Sequence, residues 1–336
     1  MNERAAGIIG LGTCVPDKVL TNKDLEKIVD TSDAWITERT GIRERRMADA
    51  DTATSDLATK AAERALADAR VGAGEIDLII VATATPDMFF PSTACLVQAN
   101  LGAAGAAAFD LAAGCSGFVY GIVVASQMVK AGLYKKILVV GAETLTKICD
   151  WTDRNTCVLF GDGAGAAVIA ETKAGCGIIG ASLGADGAGG DLLKLPAGGS
   201  RLPVSAETVA NRQHYIHMNG NEVFKFAVKI MGESAIKALE NAGLTPADVD
   251  FLIPHQANLR IIQSAAKRLK LPMDKVVVNV DRYGNTSAAS IPIALREALD
   301  AGRVKDGDTL VAVGFGAGLT WAACVIKWCK EAKTIA

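Results

Sequence analysis

The segment Gly161-Asp-Gly-Ala-Gly165 recurs later in the chain as Gly314-Phe-Gly-Ala-Gly318, and each copy follows one apolar run and precedes another. Such self-similarity is typical of a fold built from two copies of one unit. We therefore predict two halves, residues 1–173 with the nucleophile and residues 174–336 with its partner side chains. The glycine-rich stretch 174–200 is predicted to be a loop-rich join between them.

Around these segments, short apolar runs alternate with patterns of helical period, which is the rhythm of parallel sheets covered by helices. The runs predict strands at 76–82, 106–111, 137–141, 249–254, 276–280 and 309–313. Apolar residues at three- and four-residue spacing predict helices at 57–70, 118–131, 222–241, 259–269 and 293–301. The fold class is therefore α/β.

Composition limits the possible functions. Of the 336 residues, 50% are apolar and 21% charged, which favours large cores and excludes general disorder. The protein has a net charge of −2 and therefore lacks the excess of basic residues that is typical of proteins that bind nucleic acids. The uncharged run 309–326 is interrupted by three glycines, so we expect two strands around a turn and no membrane span. The first residues lack a signal-peptide core, so we expect a cytoplasmic protein.

The cysteines and histidines form no metal-binding pattern. The eight cysteines are far apart without a Cys-x-x-Cys pair, and the three histidines complete no zinc motif. We predict no metal site, and we expect most cysteines to be reduced, buried apolar residues.

Cys115 is the exception, because it lies in Ala113-Gly-Cys-Ser-Gly117 between a predicted strand and a predicted helix. The glycines allow a sharp turn and a close approach by substrate, and the helix N-terminus favours a thiolate. This is the geometry of a nucleophile elbow, so we predict that Cys115 attacks acyl carbonyl groups. A buried structural thiol is the alternative.

His255 and Asn285 occupy similar junctions. His255 follows the predicted strand 249–254, at the strand end where open α/β folds place functional groups. Asn285 lies in Tyr283-Gly-Asn-Thr-Ser287, after the predicted strand 276–280, where a simple turn or helix cap is the alternative. Because all three residues lie between a strand and a helix, a two-half fold could bring them together in one site.

The motifs taken together resemble those of the β-ketoacyl-acyl-carrier-protein synthase III family nearly from end to end. The matching segments are Asp30-Thr-Ser-Asp-Ala-Trp-Ile36, Arg39-Thr-Gly-Ile-Arg-Glu-Arg45, Phe90-Pro-Ser-Thr-Ala-Cys95, Gly114-Cys-Ser-Gly117, Phe160-Gly-Asp-Gly-Ala-Gly165, His255-Gln-Ala-Asn258, Gly284-Asn-Thr-Ser-Ala-Ala289 and Gly316-Ala-Gly-Leu-Thr-Trp321. The resemblance implies a thiolase-like fold, a five-layer αβαβα sandwich of two duplicated halves, and a homodimer.

The resemblance also implies a two-step reaction. Cys115 takes an acyl group from acyl-coenzyme A, with acetyl-coenzyme A expected, and the thioester then condenses with malonyl-acyl carrier protein as carbon dioxide leaves. The product is a 3-ketoacyl chain that starts fatty acid synthesis, and no cofactor is needed. His255 and Asn285 would hold the enolate oxygen, and the backbone N–H groups of Cys115 and Ala317 would form the oxyanion hole.

Further residues match positions of the family. Those implied to bind coenzyme A are Thr31, Trp35, Arg39, Arg154, Gly220, Asn221 and Asn258. Local charge adds a docking prediction: residues 258–270 contain Arg260, Lys267, Arg268 and Lys270 and no acidic residue, so with Lys225 they could bind the carrier protein, which is acidic. A solvated helix surface is the alternative for Lys270. Phe90 is expected to reach the partner's acyl pocket, with a core aromatic as the alternative, and Phe160 is expected to line the acyl pocket.

Three other functions stay open. A specialised ketosynthase-like acyltransferase of a polyketide or quinolone-type pathway could keep the same three residues. A cysteine hydrolase is conceivable because the Cys115 motif is one residue from the G-x-S-x-G elbow, although the third partner here is an amide. A catalytically inactive scaffold that binds acyl carrier protein is the third. The sequence leaves the length and branching of the primer open.

Overall fold

The computed structural model describes residues 4–330. The strands are β1 Ala5–Cys14, β2 Val19–Thr21, β3 Glu44–Arg46, β4 Leu78–Ala82, β5 Ala107–Leu111, β6 Lys136–Thr144, β7 Asp162–Thr172, β8 Gly177–Ala185, β9 Leu193–Lys194, β10 His217–Met218, β11 Phe251–Pro254, β12 Thr309–Gly316 and β13 Thr320–Lys327. The α-helices are α1 Asn22–Leu25, α2 Asp33–Thr40, α3 Thr54–Ala69, α4 Thr93–Leu101, α5 Gly117–Lys130, α6 Ala206–Ala210, α7 Gly220–Asn241, α8 Leu259–Arg268, α9 Val280–Tyr283 and α10 Ser290–Asp300.

Five layers stack in the order helix, sheet, helix, sheet, helix. Helices α3 and α4 cover the outer face of the first sheet, and α7 covers the outer face of the second with α8 packed against it. Helices α5 and α10 lie between the two sheets and contact strands of both. Each interface between layers has its own apolar core, and the middle core contains buried residues from both sheets, such as Ile80 and Leu310, together with Ile122 of α5. The predicted αβαβα sandwich is confirmed.

The two sheets repeat one topology. The first has the order β1-β7-β6-β4-β5, in which the first two pairings are antiparallel and the next two parallel. The second sheet has the order β8-β13-β12-β11, and here too the first two pairings are antiparallel and the third is parallel. A parallel bridge between Leu252 and Val276 lies at the position of a fifth strand. This repetition is what a duplicated unit would produce, and the exact boundary between the halves stays a prediction.

Two local predictions are wrong. The glycine-rich join contains β8, whose glycines serve close packing rather than a loop. A Cβ at Gly180 would clash with the C-terminal end of α7, and one at Gly184 would clash with the Trp321 ring. The predicted strand 276–280 ends after one bridge, because the Gln256 side-chain oxygen accepts hydrogen bonds from the backbone N–H groups of Asn279 and Val280, where α9 begins.

The uncharged run 309–326 forms the antiparallel pair β12 and β13, as predicted. Among the helices of residues 4–330, none combines the length and the apolar character needed to cross a bilayer.

The cysteines are mostly unpaired thiols, with one exception. Cys176 and Cys329 form a disulfide bond, which the expectation of reduced cysteines did not anticipate. Of the six free cysteines, four are buried, Cys115 is partly accessible and Cys95 is exposed.

Candidate active site

Cys115 lies in the 3₁₀ turn Gly114–Ser116, which joins the end of β5 to the first residue of α5. Gly114 has a φ of +52°, a left-handed conformation that glycine adopts without steric cost. A Cβ at Gly117 would lie 2.9 Å from the Ala82 Cβ, so the close packing of α5 on β4 also needs glycine. The predicted strand-turn-helix setting of Cys115 is confirmed.

The ionisation of Cys115 differs from the expectation. Its thiol lies deep in the protein and is reached only through a cavity, so burial raises its pKa to about 12. A hydrogen bond from Ser287 opposes this rise, and the charge of Glu143 adds to it. In the free protein Cys115 is therefore a thiol, because burial outweighs the helix N-terminus that was expected to favour a thiolate.

His255 follows β11 directly and is only 1% exposed. Its Nδ1 lies 2.7 Å from Ser290 Oγ, and its ring packs edge-on against Phe315. Burial lowers the pKa of His255 to about 3, so the ring is neutral. Ser290 Oγ already accepts a hydrogen bond from the Gln256 backbone, which leaves its proton for Nδ1. We infer that Nε2 carries the ring proton and acts as a donor.

Asn285 follows the short helix α9 and Gly284, and it forms a parallel bridge with Phe160. Its backbone N–H donates to Leu159 O at 2.9 Å, which fixes the turn. Its side-chain Oδ1 accepts from the Ser287 backbone N–H at 2.9 Å. Because the oxygen is engaged, the Nδ2 group is the part of the amide that is left to act as a donor.

One cavity brings the three predicted residues together. This cavity has a volume of about 90 Å³ and is lined by Cys115, His255 and Asn285. Other lining residues are Gly220, Val223, Phe224, Asn258 and Ile261. A second space of about 100 Å³, almost wholly apolar, adjoins Cys115 and is lined by Ala84, Leu145, Ile148, Phe160, Ile216, Ser287 and Ala317. Cys115 and Phe160 line both spaces, so an acyl group on the sulfur could enter the apolar one.

The turn between β12 and β13 lies against the backbone of Cys115. A Cβ at Gly316 would collide with the Cys115 backbone nitrogen, and one at Gly114 would lie 2.8 Å from the Ala317 nitrogen. Glycine at both positions is therefore needed for this approach. The two N–H groups predicted to form the oxyanion hole, those of Cys115 and Ala317, belong to these adjoining backbone segments.

Three of the residues predicted to bind coenzyme A lie together at the surface. Trp35, on α2, is half-buried, and the guanidinium carbons of Arg39 and Arg154 lie 4.9 and 5.4 Å from its ring centroid. Arg154 also donates to the Asp30 backbone oxygen at 3.0 Å. Nearby in sequence, the Thr31 hydroxyl is buried without a hydrogen-bond partner, as expected of a group that awaits a ligand.

The other coenzyme A candidates differ in position. Asn258 caps α8 and donates to the Arg39 backbone oxygen at 3.0 Å, which links the surface group to the cavity. Gly220 lines the cavity at the start of α7. Asn221 is exposed in the first turn of α7 and is not among the residues that line the cavity.

The predicted docking residues form two groups. Arg260 lies beside the cavity, with its guanidinium carbon 5.1 Å from the ring centroid of Phe224, which lines the cavity. Lys225 follows Phe224 in α7 and is exposed. Lys267 and Arg268 lie at the opposite end of α8, about 10 Å further along its axis. Lys225 pairs with Glu222, and Arg268 pairs with Glu233.

Phe90 is 85% exposed, so the alternative of a core aromatic is wrong. It lies in an apolar loop with Phe89 and Met88, and none of the three lines the cavities beside Cys115. Phe160, in contrast, is buried and lines both.

Sequence reasoning missed three residues that support the site: Ser290 behind His255, Ser287 beside Asn285, and Glu143 behind Cys115. Glu143 could have been found from the sequence, because it lies at the end of a mainly apolar predicted strand, and a carboxylate in such a buried position often has a functional or structural role. In residues 4–330, no group of three or more His, Cys, Asp or Glu side chains could hold a metal ion.

Two sheets of one topology, with a cysteine, a histidine and an asparagine at a shared cavity, define the class of condensing acyltransferases with a thiolase-like fold. Comparisons with known proteins agree. Residues 109–187 match the model of the 3-oxoacyl-[acyl-carrier-protein] synthase III family, and residues 239–328 match the model of its C-terminal part. The β-ketoacyl-[acyl-carrier-protein] synthase III of Caldanaerobacter subterraneus is 64% identical over 97% of this chain and 98% of its own length.

Solved structures extend the comparison. The β-ketoacyl-[acyl carrier protein] synthase III of Thermus thermophilus has a TM-score of 0.91 and 53% identity, covering 97% of this chain and 100% of that one. The priming β-ketosynthase of the R1128 polyketide pathway has a TM-score of 0.89 and 36% identity, covering 96% of each chain. The protein belongs to the β-ketoacyl-[acyl-carrier-protein] synthase III family and is an acyltransferase.

Proposed function

We propose that this protein transfers an acyl group from acyl-coenzyme A to Cys115 and condenses it with malonyl-acyl carrier protein, the first elongation of fatty acid synthesis. The observation that carries the proposal is the meeting of Cys115, His255 and Asn285 at one cavity. Neither a metal nor a redox cofactor takes part, and both substrates are expected in the cytoplasm.

In the first step, Cys115 gives up its thiol proton to solvent as its sulfur attacks the thioester carbonyl, and coenzyme A leaves as a thiolate that takes up a proton. The carbonyl oxygen becomes negative in the tetrahedral intermediate, and the N–H groups of Cys115 and Ala317 stabilise that charge. The closeness of the two backbones, which requires Gly316, supports this role. The acyl chain then occupies the apolar space beside Phe160.

In the second step, the malonyl carboxylate leaves as carbon dioxide and its bonding electrons form an enolate. The His255 Nε2–H and the Asn285 Nδ2–H groups donate to the enolate oxygen. Both donors are neutral, and His255 stays neutral because it is buried. The enolate carbon attacks the acyl-Cys115 carbonyl, and the thiolate of Cys115 leaves as the 3-ketoacyl product forms.

Coenzyme A and the carrier protein would reach the cavity from the same side. Trp35 and Arg154 suit an adenine ring, Arg39 suits phosphate, and Thr31 offers an unpaired hydroxyl. Arg260 lies beside the cavity and, with Lys225, suits the acidic carrier protein, and Lys267 and Arg268 lie further along α8.

We propose a homodimer joined through the edge strand β5. This strand ends the first sheet, and its alternate residues Ala107 and Phe109 are exposed. The apolar loop with Phe89 and Phe90 is exposed as well. Pairing of two β5 strands would satisfy the open edge, bury these side chains and bring Phe90 to the partner's acyl pocket.

The test is intact-mass and peptide mapping after mixing the protein with a panel of acyl-coenzyme A thioesters. We expect one acyl group on Cys115 and its absence in Cys115→Ala, whereas Cys95→Ala, which removes an exposed thiol, is the matched control and acylates normally. His255→Ala and Asn285→Ala should form the acyl-enzyme and lose condensation. Equal loss of acylation in all three site variants would contradict this division of roles.

The panel also decides between primers and pathways. The similarity to a priming ketosynthase of polyketide synthesis keeps a specialised acyltransferase as the second candidate. Rapid acylation by acetyl-coenzyme A and extension with malonyl-acyl carrier protein would support the fatty acid role. Acylation followed by hydrolysis, without a longer product, would support the hydrolase alternative.

A further inference from the structure

Glu143 is a buried carboxyl group beside the nucleophile that the proposed reaction leaves unused. It is fully buried at the end of β6. Its oxygens accept hydrogen bonds from the Ala84 backbone at 3.1 and 3.2 Å, from the hydroxyls of Thr85 and Thr83 at 2.7 and 3.3 Å, and from Ser287 Oγ at 2.9 Å. All of these donors are uncharged, so the negative charge of Glu143 is not neutralised by them.

Ser287 connects Glu143 to two residues of the active site. Its hydroxyl donates to Glu143, and its backbone N–H donates to the Asn285 side-chain oxygen. The same hydroxyl is placed to stabilise an ionised Cys115 sulfur, which lowers the pKa of Cys115. Ser287 lines the acyl cavity together with Cys115. Its φ of +49° is uncommon for a residue other than glycine, so the surrounding contacts hold it in this position.

We propose that Glu143 is a positioning residue that, acting through Ser287, controls whether Cys115 carries a thiol or a thiolate. When Glu143 is ionised it accepts a hydrogen bond from the Ser287 hydroxyl, and Ser287 then offers Cys115 only a lone pair, which suits a thiol. When Glu143 is protonated it can donate to Ser287, whose own proton then turns to a thiolate. Cys115 and Glu143 thus share one negative charge. The inference rests on the proposed function for the role of Cys115.

The electrostatics of the site agree with this arrangement. Burial raises the pKa of Glu143 to about 7, and the charge of Glu143 contributes, after burial, to the raised pKa of Cys115. Two other titratable groups line the cavities at Cys115: His255, which follows β11 and which burial keeps neutral, and Lys194 of β9, which is exposed and pairs with Asp191. Two buried groups so coupled lose their protons as a pair, and the first proton to leave near neutral pH comes mainly from Glu143.

The test is the rate of Cys115 alkylation by iodoacetamide between pH 5.5 and about 9.5, followed by peptide mapping because the exposed Cys95 reacts too. Iodoacetamide reacts with the thiolate, so an isolated thiol gives a rate that rises about tenfold per pH unit. We expect the wild-type rate to rise in this way below pH 7 and to flatten above it, where ionised Glu143 opposes the thiolate.

Glu143→Gln keeps the size and an oxygen for Ser287 but removes the charge. Its rate should rise without flattening and exceed the wild-type rate at pH 9 by on the order of tenfold or more. Asp162→Asn removes another buried carboxylate, one that bonds Thr146 and the Ala48 backbone, and should keep the wild-type profile. A Glu143→Gln profile that flattens like the wild type, or that is slower, would overturn the proposal.

The wild-type profile decides the question even if Glu143→Gln does not fold. If the alkylation rate of the wild type rises tenfold per pH unit over the whole range, Cys115 and Glu143 share no charge, and this result by itself would overturn the proposal. Ser287→Ala should weaken the flattening, because Glu143 then acts on Cys115 by its charge alone, without the hydroxyl that connects them. Flattening as strong as in the wild type would overturn the role assigned to Ser287. Alkylation needs neither acyl-coenzyme A nor carrier protein, so failure of the proposed function would leave these results interpretable.

Discussion

Gly316→Ala is expected to disable acyl transfer without unfolding the protein. The added Cβ would lie inside the contact distance of the Cys115 backbone nitrogen and within 3.1 and 3.2 Å of Gly114 C and Cys115 Cα. Ordinary contacts of this kind begin near 3.4 Å, so the two backbones must separate by up to about 1 Å. Overpacking of this size costs about 1–3 kcal/mol of stability.

The functional cost follows from the same displacement. A shift of about 1 Å in a catalytic group, or the loss of one oxyanion donor, lowers the rate by about 100-fold, which corresponds to about 2.7 kcal/mol. Rapid-quench mass spectrometry of acyl-Cys115 formation measures this rate directly. The matched control is Gly187→Ala, whose Cβ would meet nothing within 4 Å. Acylation at the wild-type rate by folded Gly316→Ala protein would refute the assignment of the oxyanion hole to these backbones.

Other outcomes follow from single contacts. In the folded protein His255 stays neutral, whereas in the unfolded chain it takes up a proton below about pH 6.5. Lowering the pH from 7 to 5 should therefore reduce the free energy of unfolding of the wild type by about 2 kcal/mol more than that of His255→Asn, as measured by urea denaturation. Ser290→Ala should lower condensation by roughly tenfold while leaving Cys115 acylation intact, since the two hydrogen bonds that it removes, to His255 Nδ1 and from the Gln256 backbone, both position His255; equal loss in both assays would contradict this. Replacing Cys176 by serine should lower the free energy of unfolding by about 5 kcal/mol in the chain-entropy account of a long loop, with acylation unchanged; an unaltered urea midpoint would contradict it.

The sequence allows the ends of the strands to be predicted, and the nucleophile Cys115 lies just after one of these ends. Cys115 and His255 follow short apolar runs with clear boundaries, so their positions could be predicted before the fold was known. Asn285 could be predicted as a site residue but not in its true setting, because the Gln256 side chain diverts the chain into α9. That interaction joins residues distant in sequence, and local periodicity does not record it.

Contacts between residues distant in sequence also explain the other features that the sequence did not predict. The glycines of β8 were read as loop residues, whereas Gly180 and Gly184 make room for α7 and for Trp321. The link between Glu143 and Cys115 depends on burial and on Ser287, which is far from both in sequence. The pairing of Cys176 with Cys329 could not be predicted, because the spacing of cysteines does not determine their connectivity.

That disulfide has a meaning beyond its effect on stability. Cys176 and Cys329 are separated by 153 residues, the same spacing that separates Gly161 from Gly314 in the repeated segment. The bond closes residues 176–329 into one covalent loop, and that loop contains every strand of the second sheet together with α7 and α8. When the protein unfolds, this part of the chain is therefore a closed ring, whereas the strands of the first sheet unfold as an open chain.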